Sequence, residues 1–209
     1  MCSHYEPPGK ERLMDAFGSA PDEDYQLDLW PLYSGPFVRL RQDSEGDELS
    51  DFTVDVGQFG LLPHWAKDRK YGRRTYNSRS ETAAELASFR SAWAKGQHCV
   101  IPAASIYEPD WRTGKSISTQ IQRSDQGLMA IAGLWDQWRG PDGEEVLSFS
   151  MLTVNADDHA FMQNYHRPKD EKRMLVILPN GLIRDWLSAS ADESMEFMRQ
   201  YPADRLRAV

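Results

Sequence analysis

Between residues 98 and 178 the chain is a succession of short apolar or alternating runs. They cover 98–102, 105–108, 117–123, 128–135, 146–154 and 174–178, and most are separated by polar or turn-forming residues. Runs of this length and spacing predict strands, because a helix of comparable burial needs a longer stretch with a 3.6-residue period. The segment Arg139-Gly140-Pro141-Asp142-Gly143 is a turn signal that joins two of the runs as a hairpin. Residues 37–41 and 52–56 alternate at period two and add two strands, with 42–51 as the turn or hairpin loop between them. Many short strands with few helices give an α+β fold. We expect a single domain over residues 1–209, with a mainly antiparallel sheet curled into a barrel-like core and a few flanking helices. The helices expected after residue 180 would form a C-terminal appendage.

Helical signals are fewer. One or two turns fit residues 11–17. A longer helix is expected from Ser78, because Ser78 and Glu81 have capping-box spacing, Leu86, Phe89 and Trp93 share a face, and Gly96 supplies a stop. Asn77 would then sit at the mouth of that helix, where amide donors point outward. Shorter helices are expected at 156–164, 182–188 and 192–201.

The two cysteines, Cys2 and Cys99, make no disulfide framework and indicate a reducing compartment. No apolar run reaches membrane-spanning length, so a cytoplasmic protein is expected. A net charge of −8 argues against a broad nucleic-acid-coating surface. The charge is uneven, however. Residues 66–79 carry Lys67, Arg69, Lys70, Arg73, Arg74 and Arg79 against one acid, Asp68. A basic patch on an acidic body fits a partner with a small anionic footprint. His64, His98 and His159 read as structural, no metal-site spacing is present, and Cys99 reads as a buried inert thiol.

Position 2 carries the chemistry. A small residue after the initiator Met permits its removal, which would leave Cys2 with a thiol beside a free α-amine. Together these trap aldehydes: the amine forms an imine, the sulfur adds, and a thiazolidine ring closes. With a reference pKa of about 7.7–8.0, against about 10.4 for lysine, the α-amine is far more often neutral at pH 7.

Four polar residues stand out, far apart in sequence: Cys2, Asn77, Glu108 and His166. The runs GLLPHW (60–65), NSRSET (77–82), CVIPAASIYEP (99–109), AGLW (132–135), LTVNA (152–156) and His166 followed by RMLVIL (173–178) resemble the SRAP family, the SOS-response-associated peptidases that crosslink to abasic sites in DNA. The blocks stand in family order over about residues 57–179, together with Cys2. The resemblance implies that Cys2 captures the ring-opened sugar of an abasic site in single-stranded DNA. It makes Glu108 the general acid/base, Asn77 a hydrogen-bonding support for Cys2, and His166 a stabiliser of the opened sugar whose near-neutral pKa suits either protonation state. It places Arg79 and Arg173 on phosphates and Trp65 against a base flanking the lesion, although Trp65 as core packing reads equally well. Arg73 and Arg74 would lie beside the DNA path. No cofactor or metal is implied, and a monomer is expected.

The chain departs from the family pattern at four points. Where the family begins Met-Cys-Gly-Arg, this chain has Ser3 and His4, so a protonated His4 would replace an arginine on phosphate. Trp111 is displaced from the Tyr107-Glu108 pair by Pro109, and Phe59 stands where the family's block begins with Trp. The compact His-Asp-Arg-Met block is opened by an insertion between His166 and Arg173, which leaves the phosphate contact between Arg167 and Arg173. Two other readings stay open: an N-terminal cysteine hydrolase or peptidase with the α-amine or His166 as base, and a non-covalent single-stranded DNA-binding module.

Overall fold

The computed structural model describes residues 2–41 and 51–209. In chain order the elements are β1 (Tyr5–Glu6), α1 (Lys10–Phe17), β2 (Ser34–Leu40), β3 (Phe52–Phe59), a 3-10 turn (Arg69–Arg74), β4 (Asn77–Arg79), α2 (Ser80–Ala83), α3 (Arg90–Ala94), β5 (His98–Ala103), β6 (Ser105–Asp110), β7 (Ile117–Arg123), β8 (Met129–Arg139), β9 (Glu145–Asn155), β10 (Arg173–Leu175), β11 (Ile177–Leu178), α4 (Ile183–Ser188) and β12 (Leu206–Ala208). The hairpin loop expected at 42–51 lies, but for Asp51, outside the described residues. Its flanks are antiparallel neighbours, with Leu40 opposite Phe52.

Strands β9, β3, β2, β5 and β8 pair in that order, and β8 then pairs with β9, closing a five-strand barrel. Closure removes the sheet edges. Every residue of β5 is buried, as are the first six of β8, and Phe37, Phe59, Phe149 and Ile101 fill the core at full burial. The predicted hairpin at 139–143 joins β8 to β9, with Gly143 at φ +82°. A second sheet, β1-β6-β7-β12, stands beside the barrel. One close approach fixes the basic segment. Gly60 has φ +123°, and a Cβ there would lie 2.3 Å from the Gly72 carbonyl oxygen, so only glycine lets the Arg69–Arg74 turn seat on the barrel.

The helix expected from Ser78 does not form as one element. Residues 77–79 instead run as a short parallel strand on β9, where Asn77 is opposite Met151 and the Ser78 carbonyl accepts from Thr153 Oγ1 at 3.2 Å. Asn77 is therefore in a strand, not at a helix mouth. Glu81 does not reach back to cap Ser78, because both its oxygens are taken by Arg173. Helical turns survive only at α2 and α3, and Gly96 ends α3 at φ +61° as expected. The 156–164 helix is reduced to a 3-10 turn at Met162–Asn164, capped by His159 Nδ1, which accepts from the amides of Phe161 and Met162. After α4 the expected helix at 192–201 is a 3-10 turn, Ser194–Phe197. Residues 180–209 pack back onto the body: Trp186 is fully buried, and β12 pairs with β7.

The insertion after His166 has its own architecture. His166 adopts φ +63°, a left-handed conformation that a residue with a Cβ holds only when its surroundings impose it. The imposing group is Lys172. Its buried ammonium donates to the His166 carbonyl at 3.3 Å and to the Arg167 carbonyl. Its own amide donates to Asp157 Oδ1 at 2.7 Å. Charged hydrogen bonds of this kind contribute about 1.5–3 kcal/mol each. Lys172→Met should therefore destabilise the protein by about 2–3 kcal/mol. It should also speed hydrogen exchange at the 166–171 amides selectively, read by mass spectrometry.

Candidate functional site

Strand β6 carries Ile106, Glu108 and Asp110 on its buried side and Tyr107 and Pro109 toward the surface, as strand alternation requires. Glu108 is thus driven inward, to 2% exposure. The chain entering β1 runs beside it, with Tyr5 opposite Ile106 and the Tyr107 amide donating to the His4 carbonyl at 2.9 Å. That pairing delivers Cys2, 1% exposed, to the neighbourhood of Glu108. The Cys2 thiol donates to the His4 carbonyl at 3.4 Å.

His166 arrives from the other direction. Its amide donates to the Pro109 carbonyl at 2.8 Å, tying the His166 turn to β6. Nε2 lies 3.3 Å from the Arg173 carbonyl and 3.4 Å from Glu108 Oε2. A carbonyl can only accept, so Nε2 carries the proton and donates it to the Arg173 carbonyl. Asn77 comes from β4. Its Nδ2 donates to the Tyr76 carbonyl at 2.9 Å, while Oδ1 is buried without a hydrogen-bond partner among the described residues, as is Glu108 Oε2.

Burial sets the protonation states. It raises Glu108 to about 7. It pushes the Cys2 thiol far above its ordinary value, and the neighbouring Glu108 carboxylate pushes the same way. It lowers His166 to about 4, so His166 is neutral at pH 7 and does not titrate near neutrality as its residue type suggested. Tyr76 was not picked out in the sequence. Burial raises its phenol, and Cys2 and Glu108 raise it further, which places it within electrostatic reach of both. Its position directly before Asn77 is the only signal that could have found it.

The structure brings Cys2, Glu108 and His166 together. It places the other expected residues as follows. Trp65 is 43% exposed, with its ring edge-on to Tyr71 at 5.0 Å. Arg73 and Arg74 are exposed at the end of the basic turn. Arg79 is half-exposed and pairs with Glu171 at 2.8 Å. Arg173, one of the two arginines expected at the phosphate contact, is 3% exposed, and its guanidinium is bound by Glu81, Glu171 and Thr153. Arg167 is exposed and lies over the Trp111 ring at 5.4 Å. His4, expected on phosphate, has its ring enclosed. It is stacked between Trp30 and Tyr107, and its Nε2 is engaged by Asp28. Among the described residues no cluster could hold a metal ion, and no helix is long and apolar enough to cross a membrane.

The shifted carboxyl has a consequence for stability. A native carboxyl at about 7, against 4.5 for the unperturbed group, keeps its proton when the unfolded chain has lost it. Stability from this group is fully present below about 4.5 and is lost as pH rises to about 7. Glu108→Gln cannot ionise, so its melting temperature should gain on the wild type as pH rises from 5 to 8, as thermal unfolding would record. His166 titrates oppositely but is common to both proteins.

The whole chain, residues 1–209, matches the model of the SOS response associated peptidase (SRAP) family. It is 43% identical to a Bordetella bronchiseptica protein of known crystal structure, with a TM-score of 0.90 over 99% of this chain and 98% of that one. It is 32% identical to the abasic site processing protein YoqW of Bacillus subtilis, over 72% of this chain and 66% of the relative, so it spans just under two thirds of YoqW. It is also 32% identical to the abasic site processing protein YoaM of the same organism, over 90% of this chain and 79% of the relative. The chain belongs to the SRAP family.

Proposed function

We propose that the protein senses and shields abasic sites in single-stranded DNA by forming a covalent thiazolidine between Cys2 and the ring-opened sugar. The observation that carries this reading is the burial of Cys2 beside a carboxyl whose pKa is about 7. The family's abasic site processing relatives support it.

With Met1 removed, the α-amine attacks the sugar aldehyde. Glu108, half-protonated near neutrality, donates a proton as the carbinolamine loses water, and is left as a carboxylate beside the imine. The Cys2 thiol then adds across the imine carbon. Its proton passes to the Glu108 carboxylate, and from there the cycle is balanced: aldehyde, amine and thiol have become thiazolidine and water. His166, neutral with its proton on Nε2, turns that proton from the Arg173 carbonyl to the opened sugar. Asn77 offers its unpaired Oδ1 to the terminal amine. An imine also acidifies the adjacent sugar C–H, which opens a lyase-type route from the same intermediate. Trp65, Arg73, Arg74 and Arg79 line the approach of the strand, and Arg167, exposed where Arg173 is buried, takes the phosphate role. The protein acts as a monomer in this scheme.

A cysteine hydrolase needs a stabilised thiolate. Burial beside Glu108 does the reverse, and this disfavours the peptidase reading beyond loss of Met1.

Denaturing gels with a single-stranded oligonucleotide carrying an abasic site should show a retarded protein–DNA band that disappears in Cys2→Ala. A peptide-cleaving protein with no such band would overturn the proposal. Glu108→Ala should slow crosslinking by about 10²-fold or more. Fluorescence anisotropy should find its affinity for undamaged strand unchanged.

A further inference from the structure

On the surface side of the β1–β6 pair, three rings form a column. His4 lies between Trp30, at a centroid distance of 4.1 Å and 14° between planes, and Tyr107, at 4.0 Å and 12°. The column is anchored at both ends. The Tyr107 hydroxyl donates to Glu6 at 2.6 Å. Asp28 takes His4 Nε2 on one oxygen and the Trp30 indole N–H, at 3.3 Å, on the other. The outermost ring is nevertheless 43% exposed, whereas Trp138 and Trp186 are almost completely buried. The inner face of Trp30 lies on His4 and its N–H is satisfied, which leaves the outer face and the ring edges as its exposed surface.

An indole that is oriented by a hydrogen bond, backed by two rings and open on one face has already met the ordering cost of stacking. Its location gives it a partner. The turn from Trp30 to Tyr33 is closed by a 3.0 Å hydrogen bond. Within that turn the Leu32 side chain rests on Gly72, in the basic turn that ends with Arg73 and Arg74. At the other end, the carbonyl of His4 receives the Cys2 thiol. The open ring is therefore tied, through directly touching residues, both to the exposed arginines and to the nucleophile.

We propose that Trp30 is a stacking platform for a nucleobase flanking the abasic position, a second base-binding ring in addition to Trp65. The proposal rests on the reading that this chain binds damaged single strands, and it specifies how the neighbouring base is held. Base–aromatic stacking of this kind accepts any base, because each has a π face.

The test is a cycle between side chain and base, read by anisotropy in a Cys2→Ala background so that no covalent step is involved. The probes are single-stranded oligonucleotides with a central abasic site, in which each neighbouring nucleotide is replaced in turn by a tetrahydrofuran residue lacking a base. Trp30→Ala should weaken binding about tenfold or more, and Trp30→Phe should restore most of it. Removal of one particular neighbouring base should weaken the Trp30-containing protein by a similar factor and leave Trp30→Ala unchanged. If every base removal costs both proteins equally, the platform does not exist. If the cycle shows coupling but the wild-type protein gives no crosslinked band, the capture reading fails and the platform stands.

Discussion

Strand β9 has four partners, and the geometry of the site follows from that. Its first half pairs with β8 and closes the barrel, its centre meets β3, and its later residues take β4 on one side and β10 on the other. Asn77 enters on β4, and Arg173, whose carbonyl faces His166, enters on β10. A five-strand barrel has little room for a polar group, so groups brought in on short side strands collect at its margin. There the β1–β6 pair brings Cys2 and Glu108 from a different sheet. The site is a seam between two sheets.

Within the seam one force acts on every titratable group. Desolvation disfavours charge, whatever its sign. It raises the Cys2 thiol and Glu108, and it lowers His166. Each is thereby biased to its neutral form, and Glu108 alone is brought to a value near physiological pH. Under the proposed chemistry this is the useful division. The group that must both give and receive a proton is poised to do so, while its neighbours hold one state and supply hydrogen bonds. The same dryness would protect an imine from the water that reverses it.

Much of this was legible in the sequence where the signal is local. The hairpin at 139–143 needed only its Gly-Pro-Asp-Gly turn, and the strands needed only their alternation. The Ser78 helix failed because the signal was local and the deciding contact was not. The Ser78 carbonyl and Glu81 are claimed by Thr153 and Arg173, more than seventy residues later. The burial of Arg173 is likewise invisible locally, because nothing in its own neighbourhood announces Glu81. Glu108 illustrates the converse. Its inward direction follows from strand alternation, but its shifted pKa depends on how completely Cys2, Tyr76 and the His166 turn enclose it. Lys172 lies in a polar insertion, and only the fold turns it inward to hold two carbonyls.

The acidic balance of the chain acquires a role at the same place. Glu171 bridges two arginines, meeting Arg79 at 2.8 Å and Arg173 at 2.7 Å. These two contacts differ in kind. Arg173 is buried and its other donors are fixed by Glu81 and Thr153, so losing a partner there would strand a charge. Arg79 is half-exposed and holds Glu171 through an ion pair of the sort worth about 0–1 kcal/mol. A phosphate arriving at Arg79 would therefore displace a carboxylate at little cost, and the Arg173 network would hold Glu171 in place as it left. The fold thus divides its arginines by burial: Arg173 is fixed in a buried network, and Arg79 is held by an exchangeable ion pair.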